Sequence, residues 1–288
     1  MDAILAGGSR VGRYEVGALV ASEESGDLYR AWDTRLNRAV ALKIVASAVA
    51  EDDASTVARF FEEAQTTALI AHPNIASVFA VGADCGRPFV VSELLHGESL
   101  RTRLRGQRMP PHIAMSYALE IAHGLIAAHE LGIVIRGLTP EHVFVTVDGC
   151  VKIADFGLPI GPATGLSATA YLSPEQARGG SGDERSDIFS LGVILYEMIA
   201  GAPPFSGATA VDIRGGIVAS DRAPLPPDID ISPELQHVVD HCLEQDPSAR
   251  FQSARDLAFV LEFTLRAPQA VRQHAPPRGR LASVLRRL

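Results

Sequence analysis

Hydrophobic and polar positions alternate along the first third of the chain and then shift to a helical spacing. The runs Y-E-V-G-A-L-V from Tyr14 and D-L-Y-R-A-W-D, separated by A-S-E-E-S-G, predict two antiparallel strands joined by a polar turn. After the Asn37 turn, R-A-V-A-L-K-I-V predicts a third strand ending near Val45. Apolar and alanine positions at helical spacing over Thr56–Ile70 predict a helix, closed by His72-Pro73. Ala76–Val81 and Pro88–Glu93 complete a five-stranded sheet with one helix.

Beyond L-L-H-G-E-S-L the pattern predicts a short helix over Ser99–Arg105 and a long one over Pro111–Leu131. Two β-like runs, Val143–Val147 and Val151–Ala154, flank Asp148-Gly149, a strong hairpin signal. An irregular stretch follows to Pro174. Ser186–Ala200 is apolar nearly all round, which predicts a buried helix, and further helices are expected at Ala210–Ala219, Ser232–Glu244 and Ser253–Leu265. A strand-rich front and a helical back give an α+β chain of two lobes.

Charge and composition narrow the function classes. The net charge of −8 gives no reason to expect a nucleic-acid partner. Three scattered cysteines, Cys85, Cys150 and Cys242, lack metal-ligand spacing and suit a reducing cytoplasm. The longest apolar run, Leu191–Ala200, is broken by Glu197 and is too short to span a bilayer, and no signal peptide is expected. Lys43 and Lys152 are the only lysines. In so lysine-poor a chain, a lysine at a meaningful position is unlike background.

The motifs A-V-A-L-K, F-E-E-A, H-P-N-I, A-D-F-G, Y-L-S-P-E-Q, S-D-I-F-S-L-G-V-I-L-Y-E-M, G-A-P-P-F and D-P-S-A-R-F occur in one order along the chain. Carried on them, residues 14–265 resemble a bacterial-type serine/threonine protein kinase domain, degenerate in its catalytic loop. The resemblance implies a bilobal kinase-like fold, with a small β-rich N-lobe over 14–93, a hinge over 94–97 and a helical C-lobe over 98–265. Residues 1–13 are expected to form a flexible lead and 266–288 a basic tail.

Several positions match the family's binding residues. Lys43 matches the lysine that holds the α- and β-phosphates of ATP, and Glu63 its ion-pair partner. Ala41 and Leu28 match the apolar pair above the adenine, and Phe144 the floor below it. Glu93 to Leu95 match the hinge that bonds the adenine edge, with Ser92 as a small gatekeeper. Asp155 matches the metal-binding aspartate of D-F-G, an oxygen ligand suited to Mg²⁺. Bland readings stand beside these: a surface ion pair for Lys43 and Glu63, core packing for the apolar residues, a turn aspartate for Asp155. Glu175 and Arg250 match a buried pair that supports the activation segment, and Asp187 the aspartate that anchors the catalytic-loop backbone.

The losses fall on chemistry. Where the family has H-R-D-L-x-x-x-N, this chain reads Ile135-Arg136-Gly137-Leu138-Thr139-Pro140-Glu141-His142. Gly137 stands in place of the catalytic base, a group worth about 10²–10⁴ in rate. Thr139 replaces the lysine near the transferred phosphate, and Ile135 the histidine of the motif. His142 replaces the asparagine that ligates a second Mg²⁺. Neutral imidazole suits that hard cation poorly, so His142 reads as a non-ligand, with a transition-metal site shared with Asp155 as the alternative. The glycine loop aligns with Ala21-Ser22-Glu23-Glu24-Ser25-Gly26 and keeps only its last glycine. Ala168 stands where a threonine contacts the catalytic aspartate. Arg136 remains placed to receive a phosphate on Thr164, Ser167 or Thr169.

These features lead to an expected function. The chain reads as a catalytically impaired, kinase-like signalling domain (a pseudokinase) in the cytoplasm. It would bind a protein partner, such as another kinase or a signalling component, with weak ATP and Mg²⁺ binding at most. An active but atypical ATP-dependent kinase and a nucleotide-sensing regulatory domain are the alternatives. Residues 266–288 contain six arginines and no acid, with Leu281, Val284, Leu285 and Leu288 on one helical face. Disorder is expected there, against a membrane-surface or partner helix, or a fold back onto the acidic body.

Overall fold

The computed structural model describes residues 5–23, 26–46, 61, 64–154 and 166–266. A six-stranded antiparallel sheet in the order β1-β2-β3-β4-β6-β5 forms the front lobe. Its strands are β1 (Arg10–Val11), β2 (Tyr14–Glu23), β3 (Gly26–Asp33), β4 (Arg38–Val45), β5 (Val78–Asp84) and β6 (Arg87–Ser92). The extra strand comes from the segment expected to be a flexible lead: Arg10 and Val11 pair with Glu15 and Tyr14. Val11 is buried with Tyr14 and Val16, and Leu5 packs against the same cluster. Two residues are too short to show an alternating pattern, which is why this strand escapes a reading by periodicity.

Alternation in β4 sorts the lobe into two layers. Val40, Leu42 and Ile44 pack with Tyr29, Ala31, Phe89 and Val91 on one face. Val45 and Val90 face Ala64, Phe61, Val78 and Val81 on the other. Of the helix expected over 56–70, residues 61 and 64–70 are described: 61 and 64–67 are helical, whereas 68–70 have already left the helix, which ends three residues earlier than expected.

The second sheet, β7-β8-β9, carries the hairpin. Here β8 (Val143–Thr146) and β9 (Val151–Ile153) pair with Val145 opposite Val151 across a turn in which Gly149 has φ 89. The third strand, β7 (Gly97–Ser99), pairs with β8 and was not anticipated; three residues next to a glycine give no alternation to read. The segment at 74–76 joins the lobes. Ile153 donates its N–H to Asn74 O (2.9 Å), Ala76 donates to Ile153 O (2.9 Å), and the Asn74 amide donates to Val151 O (2.8 Å).

The helices of the back lobe are α1 (Leu100–Leu104), α2 (Pro111–His129), α3 (Leu166–Thr169), α4 (Pro174–Ala177), α5 (Glu184–Ala200), α6 (Ala210–Ala219), α7 (Pro233–Cys242) and α8 (Ala254–Arg266). Central among them is α5, buried from Ser186 through Ile199 and packed on α2, α7 and α8. A capping box of Asp183 and Ser186 opens it, and Gly201 closes it in the left-handed conformation.

Glu175 and Arg250 lock the start of α4 to the late helices. Arg250 Nη1 and Nη2 donate to the two Glu175 carboxylate oxygens at 2.9 and 2.8 Å, and Ser186 Oγ donates to Oε1 at 2.6 Å. The Arg250 side chain is fully buried. Burial alone would raise the Glu175 carboxyl, but hydrogen bonds from Arg250 and Ser186 outweigh it and lower its pKa to about 2. Glu175→Ala leaves the guanidinium buried and unpaired, and urea denaturation is expected to show a loss of about 3–5 kcal/mol. In the wild type, the pair's contribution is complete above the ordinary carboxyl value of 4.5 and is lost as pH falls towards 2. Denaturation across pH 2–5 should show that added loss in the wild type and lack it in Glu175→Ala.

Candidate functional site

The sheet register assembles the face that the resemblance assigns to a nucleotide. Directly opposed residues of antiparallel strands share a face, and Ala21 opposes Leu28, Leu28 opposes Lys43, and Lys43 opposes Val90. Ala41, two residues from Lys43, lies on the same face and opposes Ser92. Ala21, Leu28, Ala41 and Lys43, far apart in sequence, therefore form one patch on the face turned towards the helix at 64–67. Lys43 is only 2% exposed, an environment a lysine occupies only when its ammonium is engaged. Its expected partner Glu63 lies outside the described residues, as does Asp155.

Gly26 is explained without any phosphate. It has φ 137, and a Cβ there would lie 1.9 Å from Ile44 O, so the close pairing of β3 with β4 demands glycine. At the hinge, Glu93 is held three ways. Its N–H donates to Ser77 O (2.9 Å), while Oε2 accepts from Ser77 N (3.3 Å) and Lys152 Nζ (3.0 Å). Lys152 thus ties the hinge to β9, a role with no sequence signal beyond the scarcity of lysine. Leu95 follows on the connection to β7, and Phe144 sits half-buried on β8 opposite Ser99.

The loop at 135–142 is built as a precise object around a missing side chain. Asp187, fully buried on α5, accepts from Ile135 N (2.8 Å) and Arg136 N (2.7 Å), and lies 2.9 Å from His129 Nε2. Arg136 has φ 59, a left-handed conformation that costs a non-glycine residue about 1–3 kcal/mol. The Asp187 bond on one side and a bond from Gln176 Nε2 to Arg136 O (2.8 Å) on the other hold it there. Gly137 follows at the apex. A Cβ on it would meet nothing nearer than Ile135 O at 3.9 Å, so the backbone leaves room for a side chain to begin there.

His142 closes the loop. Its Nδ1 lies 2.8 Å from Gly137 O and 3.2 Å from Thr139 Oγ1. A carbonyl can only accept, so Nδ1 carries the proton and Nε2 is left as the acceptor. The histidine therefore pins the loop through one nitrogen, and Thr139, buried beside it, offers a hydroxyl in place of a cation. The His142 carbonyl accepts from Ala154 N (2.8 Å), which sets the entry to the D-F-G segment against the loop. Among the described residues no group of three or more His, Cys, Asp or Glu side chains is arranged to hold a metal.

A charged cluster beneath the loop has no counterpart in the sequence reading. Arg101 Nε donates to Glu141 Oε1 (2.9 Å) and Nη1 to Glu197 Oε1 (2.6 Å), while Nη2 donates to the Tyr171 hydroxyl. Tyr171 in turn donates to Glu197, and Ser167 Oγ donates to Glu141 Oε1 (2.8 Å). Burial opposes the charge on Arg101, but the neighbouring Tyr171, Glu141 and Glu197 raise its pKa further. Burial and the adjacent Glu197 push the Tyr171 hydroxyl up. Four elements meet here: α1, the catalytic loop, α3 with the residues that follow it, and α5. The one available signal was Glu197, an acid interrupting an apolar run. Of the suggested phosphate acceptors, Thr169 is fully buried and Ser167 is turned to Glu141, while Thr164 lies outside the described residues.

Two substitutions separate scaffold from chemistry. Asp187→Ala orphans two loop N–H groups at about 1–3 kcal/mol each, and thermal and urea denaturation should both record the loss. Gly137 is exposed and a Cβ there meets no clash, so the thermal midpoint of Gly137→Asp should stay within about 2 °C of wild type.

With this geometry established, relatives place the chain in a family. The protein kinase domain model matches residues 14–259. The serine/threonine-protein kinase PknL of Mycobacterium tuberculosis is 37% identical over 283 residues, covering 91% of this chain and 70% of PknL. PknB of Mycobacterium leprae is 36% identical over 262 residues, covering 85% of this chain and 42% of PknB. The crystal structure of the Mycobacterium tuberculosis PknI kinase domain matches with a TM-score of 0.74 at 24% identity, covering 90% of this chain and 99% of that domain, and shows the same bilobal fold. With its two lobes, its anchored loop and these relatives, the chain belongs to the protein kinase domain family and is homologous to the bacterial serine/threonine kinases.

Proposed function

We propose that this domain is a catalytically impaired kinase homologue, a pseudokinase that acts in cytoplasmic signalling by presenting its folded surface to a protein partner such as another kinase. One observation carries the reading: the 135–142 loop keeps its anchor on Asp187 and its strained Arg136, yet its apex is Gly137. A kinase loop positions a base for the substrate hydroxyl, and here the position is built and the base is missing. That loss alone corresponds to about 10²–10⁴ in rate. Thr139 removes a positive charge from the transferred phosphate's surroundings, and the Nδ1 of His142 is committed to the loop.

A second reading, nucleotide binding without turnover, draws support from the buried Lys43 and its apolar row with Ala21, Leu28 and Ala41. In that reading Lys43 with Glu63 would hold the phosphates of ATP, and the hinge from Glu93 to Leu95 its adenine over Phe144. Asp155 would hold Mg²⁺, which would neutralise charge on the phosphates. An active atypical kinase remains the contrasting outcome, because phosphoryl transfer depends chiefly on positioning and electrostatics.

A thermal-shift titration with ATP, alone and with Mg²⁺ or Mn²⁺, separates these. No shift supports a scaffold, a metal-dependent shift without transfer supports a sensor, and a shift with robust transfer contradicts both. Gly137→Asp is expected to leave transfer weak, since Thr139, His142 and the altered glycine loop remain. Strong rescue by that one change would show that the base was the sole chemical loss.

A further inference from the structure

Phe259 and Phe263 stand one turn apart on α8 and are 70% and 67% exposed. The opposite face of the helix, with Leu257, Ala258 and Leu261, is buried in the core. The helix is thus anchored without these two rings, which form an apolar stripe on its outer side. Asp256 is exposed beside the stripe, while Arg255 and Arg266 are already paired with Glu130 and Glu262 at 2.5 Å each.

The chain continues directly from the end of this helix. Residues 267–288 hold five arginines and no acid, and setting them aside takes the net charge from −8 to −13. Leu281, Val284, Leu285 and Leu288 recur at the spacing of one helical face, with Arg280, Arg286 and Arg287 off it. We propose that residues 281–288 dock in cis on α8, with their leucine and valine face on Phe259 and Phe263 and their arginines towards the acidic body. Reach is not limiting. The 14 intervening residues span up to about 45–50 Å when extended, whereas α8, at about 1.5 Å per residue, is only about 20 Å long. Because the attachment is covalent, the segment meets the stripe at high effective concentration, so a small contact suffices. The surface is remote in sequence from the catalytic loop, and the proposal is independent of the catalytic reading.

Hydrogen–deuterium exchange on the full 288-residue chain tests it. Residues 281–288 should exchange about tenfold more slowly than in the Phe259→Ser/Phe263→Ser double variant. Both substituted positions are exposed, so the variant should keep the wild-type thermal midpoint. The reciprocal Leu281→Ser/Leu285→Ser variant should in turn speed exchange in the outer turns of α8. Equal exchange of 281–288 in wild type and the Phe variant overturns the proposal. Protection that rises with protein concentration alongside a dimeric mass in sedimentation overturns it in favour of a second copy. Protection seen only with phosphatidylglycerol vesicles overturns it in favour of a membrane surface.

Discussion

The carboxylate of Asp187 decides the shape of the catalytic loop. It lies at the start of the most buried helix and aims both oxygens at successive N–H groups, those of Ile135 and Arg136. Those bonds hold Arg136 in a backbone conformation it would not choose, and the turn that follows leaves Gly137 exposed at the apex of the loop. Nothing in this chain of cause depends on what residue 137 is. The loop is specified from behind, by the core, and its chemistry is attached in front. A chain can therefore lose the aspartate at 137 and keep the loop.

The same division runs through the rest of the domain. Arg250 and Glu197 are buried charged groups, and their partners Glu175, Arg101 and Tyr171 all lie within the fold. Removing one member of such a set strands the others, so these residues persist for reasons of stability. Gly137 stands exposed at the apex of the loop, where substitution strands nothing. Stability keeps the buried set in place and makes no demand on the residue at 137. Lys43 is the informative intermediate: it matches the family's phosphate-binding lysine by position and belongs to the core by burial. Its presence is accounted for by either role.

The fold was legible because its signals are local and repeated. Alternation over β2 to β4, the 3.6 period over α2, and the all-round apolar run of α5 each extend over many residues. Arg10–Val11 and Gly97–Ser99 were not legible, since two or three residues carry no period and pair only because a neighbouring strand edge is near. For the site, motif order indicated Asp187, Glu175 and Arg250 in their structural roles. The Arg101 cluster was hidden, because its members come from four elements spaced across nearly a hundred residues and no local pattern links them. Gly26 shows the opposite hazard: a glycine that matches a phosphate-loop motif is required by strand pairing alone.

The central claim is that a kinase scaffold survives here without kinase chemistry. Incorporation of radiolabelled γ-phosphate from ATP, into the chain itself and into a general protein substrate, tests it most directly when run beside Lys43→Ala and Asp155→Ala. The account predicts wild-type incorporation no higher than in those two variants. Incorporation in the wild type that disappears in both would contradict it and make this domain a working kinase with an unrecognised route for the substrate proton.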